Sequence, residues 1–183
     1  MQVNPLSLDG VYEITPTKHG DERGFFSEVY NARALQDHGI DIEFVQDNVS
    51  LSTSKGILRG LHFQKPPFAQ DKLVRVLKGA ILDVAVDLRS DSETKGQWLS
   101  LEVSAEKWNQ ILVPKGFAHG FITLTDVVEV AYKVSDYYDR DSDQSVKYND
   151  PEIGIEWPDL GCEFTLSDKD RDAPLLSTVE TGF

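Results

Sequence analysis

Hydrophobic and polar residues alternate along much of the chain, which is the pattern of β-strands with one buried face. The clearest case is Leu73–Arg89, which predicts two strands joined by a turn at Lys78-Gly79. In the second of these strands four aliphatic residues point one way, and Asp83 and Asp87 point the other way. Further short strands are predicted at Phe25–Tyr30, Arg59–Gln64, Trp98–Val103, Asn109–Val113 and Val127–Tyr132.

Helical patterning is confined to Asn31–His38, with Asn31 as the predicted N-cap and Gly39 as the residue that ends the helix. Many evenly spaced strands with one or two short helices are typical of an antiparallel sandwich or jelly roll. The segment Ser135–Pro158, rich in Asp, Tyr and Gly, is expected either to wrap around this barrel or to form a solvated loop. We expect one all-β domain over residues 1–183.

The composition of the chain argues against several classes of binding partner. A net charge of −13 argues against nucleic acid, because phosphate backbones bind clustered Lys and Arg. The single cysteine, Cys162, allows no intrachain disulfide. No stretch approaches the 18 or so apolar residues of a membrane span, and the first residues lack the basic and apolar regions of a signal peptide. We therefore expect a cytoplasmic protein without a membrane partner.

Motifs for common cofactors are absent from the sequence. Neither the glycine-rich dinucleotide fingerprint nor the P-loop pattern occurs. Asp139–Asp150 places aspartates at positions 1, 3 and 5 of a calcium loop, but Gln144 stands where the loop needs glycine, and Asp150 where it needs glutamate. A solvated acidic loop is the favoured interpretation there.

Two histidines suggest a lined cavity. Alternation places Arg59 and Leu61 on one face of the Arg59–Gln64 strand, and His62 and Gln64 on the other. Pro114–His119 has the spacing P-x-G-x-x-H, which resembles the second signature of cupins, the small jelly rolls. Metal-binding cupins carry H-x-H in the first signature, whereas this chain has His62-Phe-Gln64. Two histidines fall short of three protein ligands, so metal-free chemistry is expected.

The chain as a whole is similar to the dTDP-4-dehydrorhamnose 3,5-epimerase family. The resemblance extends from about residue 20 to residue 174 through short blocks in the family's order. The blocks include Gly20–Phe26, Phe44–Asn48, Leu58–Gln64, Lys72–Arg75, Asp83–Asp87, Val113–Phe121, Tyr132-Lys133, Asp136–Tyr138, Asn149–Pro151, Ile153–Pro158 and Leu166–Asp170.

The resemblance implies a cupin-type jelly roll that inverts C3 and C5 of dTDP-4-dehydro-6-deoxy-D-glucose without a cofactor. Both carbons are α to the C4 ketone, so the reaction needs a base on one face, an acid on the other and a donor for the enolate oxygen. By resemblance, His62 is the base and Asp170 its carboxylate partner. Tyr132 is the acid, and Lys72 faces the C4 oxygen.

Substrate binding is carried over from the family in the same way. Arg23 is expected to bind the diphosphate, and Tyr138 to lie near the base; Asp143 is shorter than the glutamate often found at its position. The resemblance also implies a homodimer in which the Arg23 block reaches the neighbouring subunit's pocket. The expected substrate contacts are Arg23, Phe26, Glu28, Gln46, Asp47, Asn48, Arg59, Lys72, His119, Tyr138, Asp143 and Lys169.

Three other functions stay open at this point. An epimerase of a related deoxysugar acting at one carbon would use the same base and acid. A metal-dependent cupin such as a dioxygenase is opposed by Gln64 in the H-x-H pattern. A non-catalytic nucleotide-sugar-binding cupin is opposed by the joint presence of His62, Asp170, Tyr132 and Lys72.

Overall fold

The computed structural model describes all residues from 1 to 183 and contains thirteen strands. Two short helices accompany them, α1 at Ala32–Gln36 and α2 at Asp168–Arg171. In chain order the strands are β1 Gln2–Pro5, β2 Tyr12–Thr15, β3 His19–Asp21, β4 Gly24–Phe26, β5 Gln46–Ser52, β6 Leu58–Gln64, β7 Lys72–Lys78, β8 Ala80–Asp87, β9 Trp98–Ser104, β10 Gln110–Val113, β11 Phe117–Thr123, β12 Val128–Val134 and β13 Asp143–Ser145.

Eleven of the strands form two antiparallel sheets. One has the order β1-β2-β10-β7-β12-β5 and the other the order β13-β6-β11-β8-β9, while β3 and β4 form a separate hairpin. Most neighbours in each sheet come from distant parts of the sequence, as in a jelly roll. The predicted all-β jelly roll is confirmed. None of the helices is long and apolar enough to cross a membrane.

Both faces of β8 are buried, which explains its largely apolar composition. Ile81 and Ala85 belong to the core between the sheets, together with Val74 and Val130 of the six-stranded sheet. Val84 and Val86, on the opposite face, pack under the C-terminal part of the chain. The residues that cover this outer face include Val146, Ile153, Ile155, Trp157, Leu176, Val179 and Phe183. The C-terminal wrap is thus confirmed.

Helix α1 has the predicted caps. The Asn31 side chain accepts a hydrogen bond from the backbone N–H of Ala34. At the other end Gly39, with φ +78°, donates to Gln36 O, and Ile40 donates to Leu35 O. These two bonds form a Schellman motif, which favours glycine at this position.

The predicted strand at Phe25–Tyr30 is wrong beyond Phe26. Ser27–Tyr30 is irregular because side chains, rather than a neighbouring strand, take up its polar groups. The indole N–H of Trp108 donates to Ser27 Oγ at 3.1 Å, and the Gln110 amide donates to Val29 O at 2.8 Å.

Strand β6 carries one extra residue where it pairs with β11. His119 lies opposite His62 and Phe121 opposite Arg59, so three steps on β6 face two steps on β11. The bulge reverses the alternation of the strand, and Arg59 lines the same cavity as His62. The prediction that Arg59 shares a face with Leu61 was therefore wrong.

Glycine at position 60 makes this bulge possible. Gly60 has a φ of +123°, and a Cβ atom there would lie 2.6 Å from the Cα of Gly120. Both the backbone conformation and the close approach of β11 exclude a side chain. The placement of Arg59 and His62 on one face therefore depends on this residue.

Candidate active site

A cavity of about 420 Å³ opens between the two sheets. Its volume lies in the range of small-molecule sites. Apolar side chains of both sheets form part of its wall. The polar and titratable residues that line it are Ser50, Arg59, His62, Lys72, His119, Tyr132, Thr165, Ser167, Lys169 and Asp170.

His62 and Asp170 form an imidazole–carboxylate pair at the wall of the cavity. The Nε2 atom of His62 lies 2.5 Å from Oδ1 of Asp170. The carboxylate fixes the proton of a neutral imidazole on Nε2, so the lone pair is on Nδ1. Burial raises the pKa of Asp170, but hydrogen bonds from His62 and Ser167 outweigh it and hold that pKa below its usual value. The pair is suited to accepting a proton and stabilising the resulting imidazolium.

A second imidazole–carboxylate pair lies on the neighbouring strands. His119 of β11 has its Nε2 atom 2.9 Å from both carboxylate oxygens of Asp83 in β8. The Asp83 side chain is fully buried. A buried carboxylate in contact with a ring nitrogen keeps the imidazole oriented. The five-stranded sheet therefore supplies the histidines of both pairs, whereas their carboxylates come from α2 and β8.

Lys72 enters the cavity from the six-stranded sheet. Its ammonium donates to the backbone oxygen of His62 at 3.3 Å, across the gap between the sheets. Burial lowers the pKa of Lys72 to about 8, although the carboxylates of Asp143 and Asp83 oppose this shift. A lysine in this state is a localised positive charge with little water around it, which suits it to binding an oxyanion.

Tyr132 of β12 also comes from the six-stranded sheet. Its neighbours in that sheet are Asn48 of β5 and Val74 of β7. Burial raises the pKa of the Tyr132 phenol, and the charge of Arg59 only partly opposes the rise. The phenol is therefore neutral at physiological pH and can donate a proton.

Arg59 is held at the cavity by β5. Its Nε atom donates to Ser52 Oγ at 3.2 Å and its Nη2 atom to Leu51 O at 3.1 Å. No carboxylate pairs with it. The guanidinium thus keeps its positive charge available for an anionic ligand.

Tyr138, Asp143 and Lys169 lie next to one another at the rim. Lys169 donates to Asp143 at 2.6 Å, and the Tyr138 hydroxyl donates to the same carboxylate oxygen at 3.3 Å. Lys169 lines the cavity, whereas most of the Tyr138 surface is exposed. An exposed aromatic ring beside a cation is a surface on which a planar base can stack.

Gln64 does not line the cavity and instead fixes the loop that carries Tyr138. Its amide nitrogen donates to the backbone oxygens of Phe68 and Tyr137, at 2.7 and 3.1 Å. Its amide oxygen accepts from the N–H of Asp139 at 2.8 Å. The polar atoms of Gln64, which stands in the H-x-H pattern, are thus taken up by loop backbone.

The acidic loop at 139–150 uses its carboxylates as structural acceptors. Asp139 accepts from the N–H of Ser142, and Asp143 pairs with Lys169. Asp150 is buried and accepts the backbone N–H groups of Glu152, Ile153 and Leu176. Asp150, the last aspartate of this loop, therefore supports the fold and is not solvated.

The three predicted contacts on β5 do not share a face. Gln46 and Asn48 are half-buried, and the Gln46 amide donates to Asn48 at 2.8 Å. Asp47 points to the outer face, where it pairs with Lys133 at 2.8 Å. Asp47 and Asn48 both line a second pocket of about 340 Å³, and none of the three residues lines the cavity of His62.

Arg23, Phe26 and Glu28 lie outside the cavity of this chain. All three are exposed, and Arg23 pairs with Asp21 of its own hairpin. The β3–β4 hairpin is attached to the body by an aromatic cluster. Phe25 packs edge-on against Trp108 at 4.9 Å. The hairpin is thus an anchored projection that presents Arg23 and Phe26 to solvent; we call it the arm.

Asp83 and Ser167 are site residues that the sequence reasoning missed. Asp83 had one available signal, a charged residue within the otherwise apolar strand Ile81–Val86. Ser167 had another, the spacing Ser-x-x-Asp that places a capping hydroxyl near Asp170. Neither pattern identifies the histidine that each carboxylate contacts.

Comparison with known proteins gives a consistent result. The family model described as dTDP-4-dehydrorhamnose 3,5-epimerase matches residues 5–178. The chain is 46% identical over 183 residues to the dTDP-4-dehydrorhamnose 3,5-epimerase of Sinorhizobium fredii, covering 100% of this chain and 93% of that protein.

Solved structures of the same kind superpose closely. A dTDP-4-dehydrorhamnose 3,5-epimerase from Bacillus anthracis, with TDP and PPi bound, is 50% identical with a TM-score of 0.91, covering 95% of this chain and 98% of that one. A dTDP-6-deoxy-D-glucose-3,5-epimerase from Legionella pneumophila, in complex with dTDP-4-keto-L-rhamnose, is 45% identical with a TM-score of 0.92. That match covers 98% of this chain and 94% of the Legionella chain.

Proposed function

The chain belongs to the dTDP-4-dehydrorhamnose 3,5-epimerase family, and we propose that it carries out the family's reaction with His62 as base and Tyr132 as acid. It is an isomerase that inverts C3 and C5 of dTDP-4-dehydro-6-deoxy-D-glucose to give dTDP-4-dehydro-L-rhamnose. One observation carries the assignment of these groups. His62 and Tyr132 line the same cavity but belong to different sheets.

Proton removal falls to His62. The C4 ketone acidifies the hydrogens on C3 and C5, so a neutral imidazole is a strong enough base at physiological pH. Nδ1 is the ring atom left free by the bond between Nε2 and Asp170. As the imidazole gains its proton, the carboxylate of Asp170 stabilises the new positive charge.

The resulting enolate has its negative charge on the C4 oxygen, and Lys72 is the group that would stabilise it. An ammonium that is already desolvated needs no reorganisation when this charge develops. Its contact with the backbone of His62 keeps it close to the base.

Reprotonation comes from Tyr132 on the other side of the sugar. Delivery to the face opposite His62 inverts the carbon, and proton return from His62 leaves its configuration unchanged. The tyrosinate that forms then regains its proton from solvent or from the imidazolium. Each of these steps uses side chains of the chain alone, so we propose that no metal or nicotinamide takes part.

The nucleotide part of the substrate would lie toward the rim. Arg59 and Lys169 supply positive charge for the diphosphate, and the exposed ring of Tyr138 supplies a stacking surface. His119, oriented by Asp83, would contact the sugar or the nearest phosphate. Gln46 and Asn48 would contact the nucleotide from the half-buried face of β5.

We also propose that the protein is a homodimer in which each arm contributes to the partner's cavity. Val49 and Leu51 on the edge strand β5 are largely exposed, with 68% and 53% of their surface accessible. An exposed apolar edge strand is typical of a sheet that pairs with another chain. Arg23 and Phe26 have no ligand to contact within their own subunit, and a partner's rim would supply one.

A cytoplasmic location is inferred as well. The single cysteine, Cys162, is exposed and unpaired, which agrees with a compartment where disulfides rarely form.

The test is incubation of dTDP-4-dehydro-6-deoxy-D-glucose with the protein in heavy water containing a chelator, followed by mass spectrometry and NMR. The wild type is expected to incorporate two deuterons and to yield the L-rhamno product. His62→Ala should incorporate none, whereas His38→Ala, which removes an exposed imidazole, should behave as the wild type. Tyr132→Phe should exchange hydrogen at the two carbons without inverting them, because His62 can return deuterium to the face it attacks.

Other results would identify a different function. One deuteron would indicate an epimerase acting at a single carbon. No exchange by a folded protein that binds the nucleotide sugar would indicate a binding protein. Activity lost to the chelator and restored by a divalent cation would indicate a metal-dependent cupin.

A further inference from the structure

Ser167 makes two hydrogen bonds with Asp170 through a single hydroxyl group. It is the N-cap of α2, with an extended backbone at φ −68° and ψ 161°, and its Oγ atom accepts from the N–H of Asp170 at 3.2 Å. The same Oγ atom donates to Oδ2 of Asp170 at 2.9 Å. The serine therefore caps the helix and holds the carboxylate at once.

The two oxygens of Asp170 consequently have separate partners. Oδ1 contacts His62 and Oδ2 contacts Ser167, and the backbone N–H of Gly60 also donates to the carboxylate. Asp170 is only 3% exposed, so bulk water does not replace a lost donor at low cost. A carboxylate fixed at both oxygens cannot rotate its charge away from the imidazole.

The separate partners of the two Asp170 oxygens follow from a difference between this helix cap and the common capping box. In the usual capping box Ser-x-x-Glu, the glutamate reaches back to the N–H of the capping residue. Here the fourth residue is an aspartate, one methylene shorter, and it takes the serine hydroxyl as its donor. The other carboxylate oxygen is left free for His62.

We propose that Ser167 is a positioning residue for the reaction, which completes a Ser167–Asp170–His62 chain and sets the proton affinity of the base. This inference rests on the proposed role of His62. Without the hydroxyl, the Asp170 carboxylate loses a donor to its charged form, and the proton affinity of the histidine–aspartate pair rises. The base must be unprotonated to act, so a larger fraction of the enzyme is then inactive at a given acidic pH.

The test is the pH profile of kcat/KM for Ser167→Gly and Ser167→Thr. Glycine is a tolerated N-cap, so Ser167→Gly removes the donor while keeping helix α2. We expect the acidic limb of its profile to move to higher pH by about one unit, the size of one hydrogen bond to a charged group. We also expect kcat to fall about tenfold, since the carboxylate is no longer fixed. Ser167→Thr keeps the hydroxyl and should restore most of the rate and the wild-type limb.

A matched control separates this role from helix stability. Asn31→Ala removes the N-cap of α1, which makes the same kind of bond to a backbone N–H but does not line the cavity. It should lower thermal stability without moving the pH profile.

Two outcomes would overturn the inference. In the first, Ser167→Gly is less stable than the wild type but has an unchanged pH profile. In the second, the only kinetic change in Ser167→Gly is a raised KM. If instead His62→Ala keeps its deuterium exchange, the assignment of the base is wrong. An inactive His62→Ala beside an unperturbed Ser167→Gly would contradict only the role of Ser167.

Discussion

The charge that Lys72 carries inside the cavity depends on the pH of the medium. Burial lowers its pKa to about 8, while the pKa of Tyr132 is raised by burial. The protonated lysine is the form that stabilises the enolate, so activity is retained below this pKa and lost as the pH rises through it. The tyrosine remains protonated throughout this range.

We therefore expect kcat/KM to decline above about pH 8, where it follows the fraction of protonated Lys72. In Lys72→Arg the cation stays charged to much higher pH, so the remaining activity should lose this limb. Lys55→Arg, a change at an exposed lysine, should keep it. A limb that stays in place in Lys72→Arg would assign it to another group.

Some of the residues at the cavity were predicted from the sequence, and others were not. The family resemblance identified His62, Lys72 and Tyr132, and all three line one cavity. It did not identify Asp83, because the contact between Asp83 and His119 depends on the register of β8 against β11. That register pairs Asp83 with Phe121 and leaves it diagonal to His119, and local alternation contains no such information.

Among the secondary-structure elements, the bulge in β6 is the feature for which a substitution should change the free energy of unfolding most clearly. A Cβ atom at Gly60 would meet the Gly120 Cα and the His119 carbonyl at 2.6 and 2.9 Å. Gly60→Ala should reduce the free energy of unfolding by about 3 kcal/mol or more, from backbone strain and steric overlap together.

Gly24→Ala is the matched control for this substitution. Gly24 has a similar φ of +130°, but nothing lies within 4 Å of the position that an added methyl group would take. We expect a loss of about 1 kcal/mol from backbone strain alone. Chemical denaturation of both variants measures the difference, and equal losses would show that the contact with β11 is not what requires glycine.

Alternation predicted about half of the strands, and it assigned the faces of one of them wrongly. The hairpin of β7 and β8, with its turn at Lys78-Gly79, follows the periodic pattern closely. One inserted residue in β6 was enough to place Arg59 on the opposite face from the prediction. Six strands, β1, β2, β3, β5, β11 and β13, were not predicted. Two of these, β3 and β13, have only three residues each, too few for a period to be recognised.

For the whole molecule, the proposed arm exchange makes a prediction about mixed dimers. Arg23→Ala should lose activity through its partner's cavity, and His62→Ala through its own. When the two variants are unfolded and refolded together, half of the dimers are mixed, and each mixed dimer has one intact site. About a quarter of the wild-type activity should therefore return.

A mixture of His62→Ala with Tyr132→Phe is the control, because both residues belong to the same subunit's cavity and no mixed dimer gains an intact site. Failure of the first mixture to recover activity would place Arg23 at its own subunit's cavity. A monomer by light scattering would contradict the dimer itself.

The charge of the whole chain gave only a partial prediction. A total of −13 correctly describes an acidic molecule, yet Arg59, Lys72 and Lys169 converge on one cavity. A sum over the sequence hides such a local concentration of positive charge, because folding brings the three residues together from β6, β7 and α2.

Because the cavity walls come from two different sheets, ligand binding also affects the stability of the folded protein. Because the two sheets supply opposite walls, a bound nucleotide sugar acts as a tie between them, and its binding free energy becomes part of the folding equilibrium. At a ligand concentration about one hundred times the dissociation constant, this contribution is about 2.7 kcal/mol. Cellular metabolite supply would thus set the lifetime of the protein as well as its output, with a substrate-starved population opening more often and reaching proteases sooner.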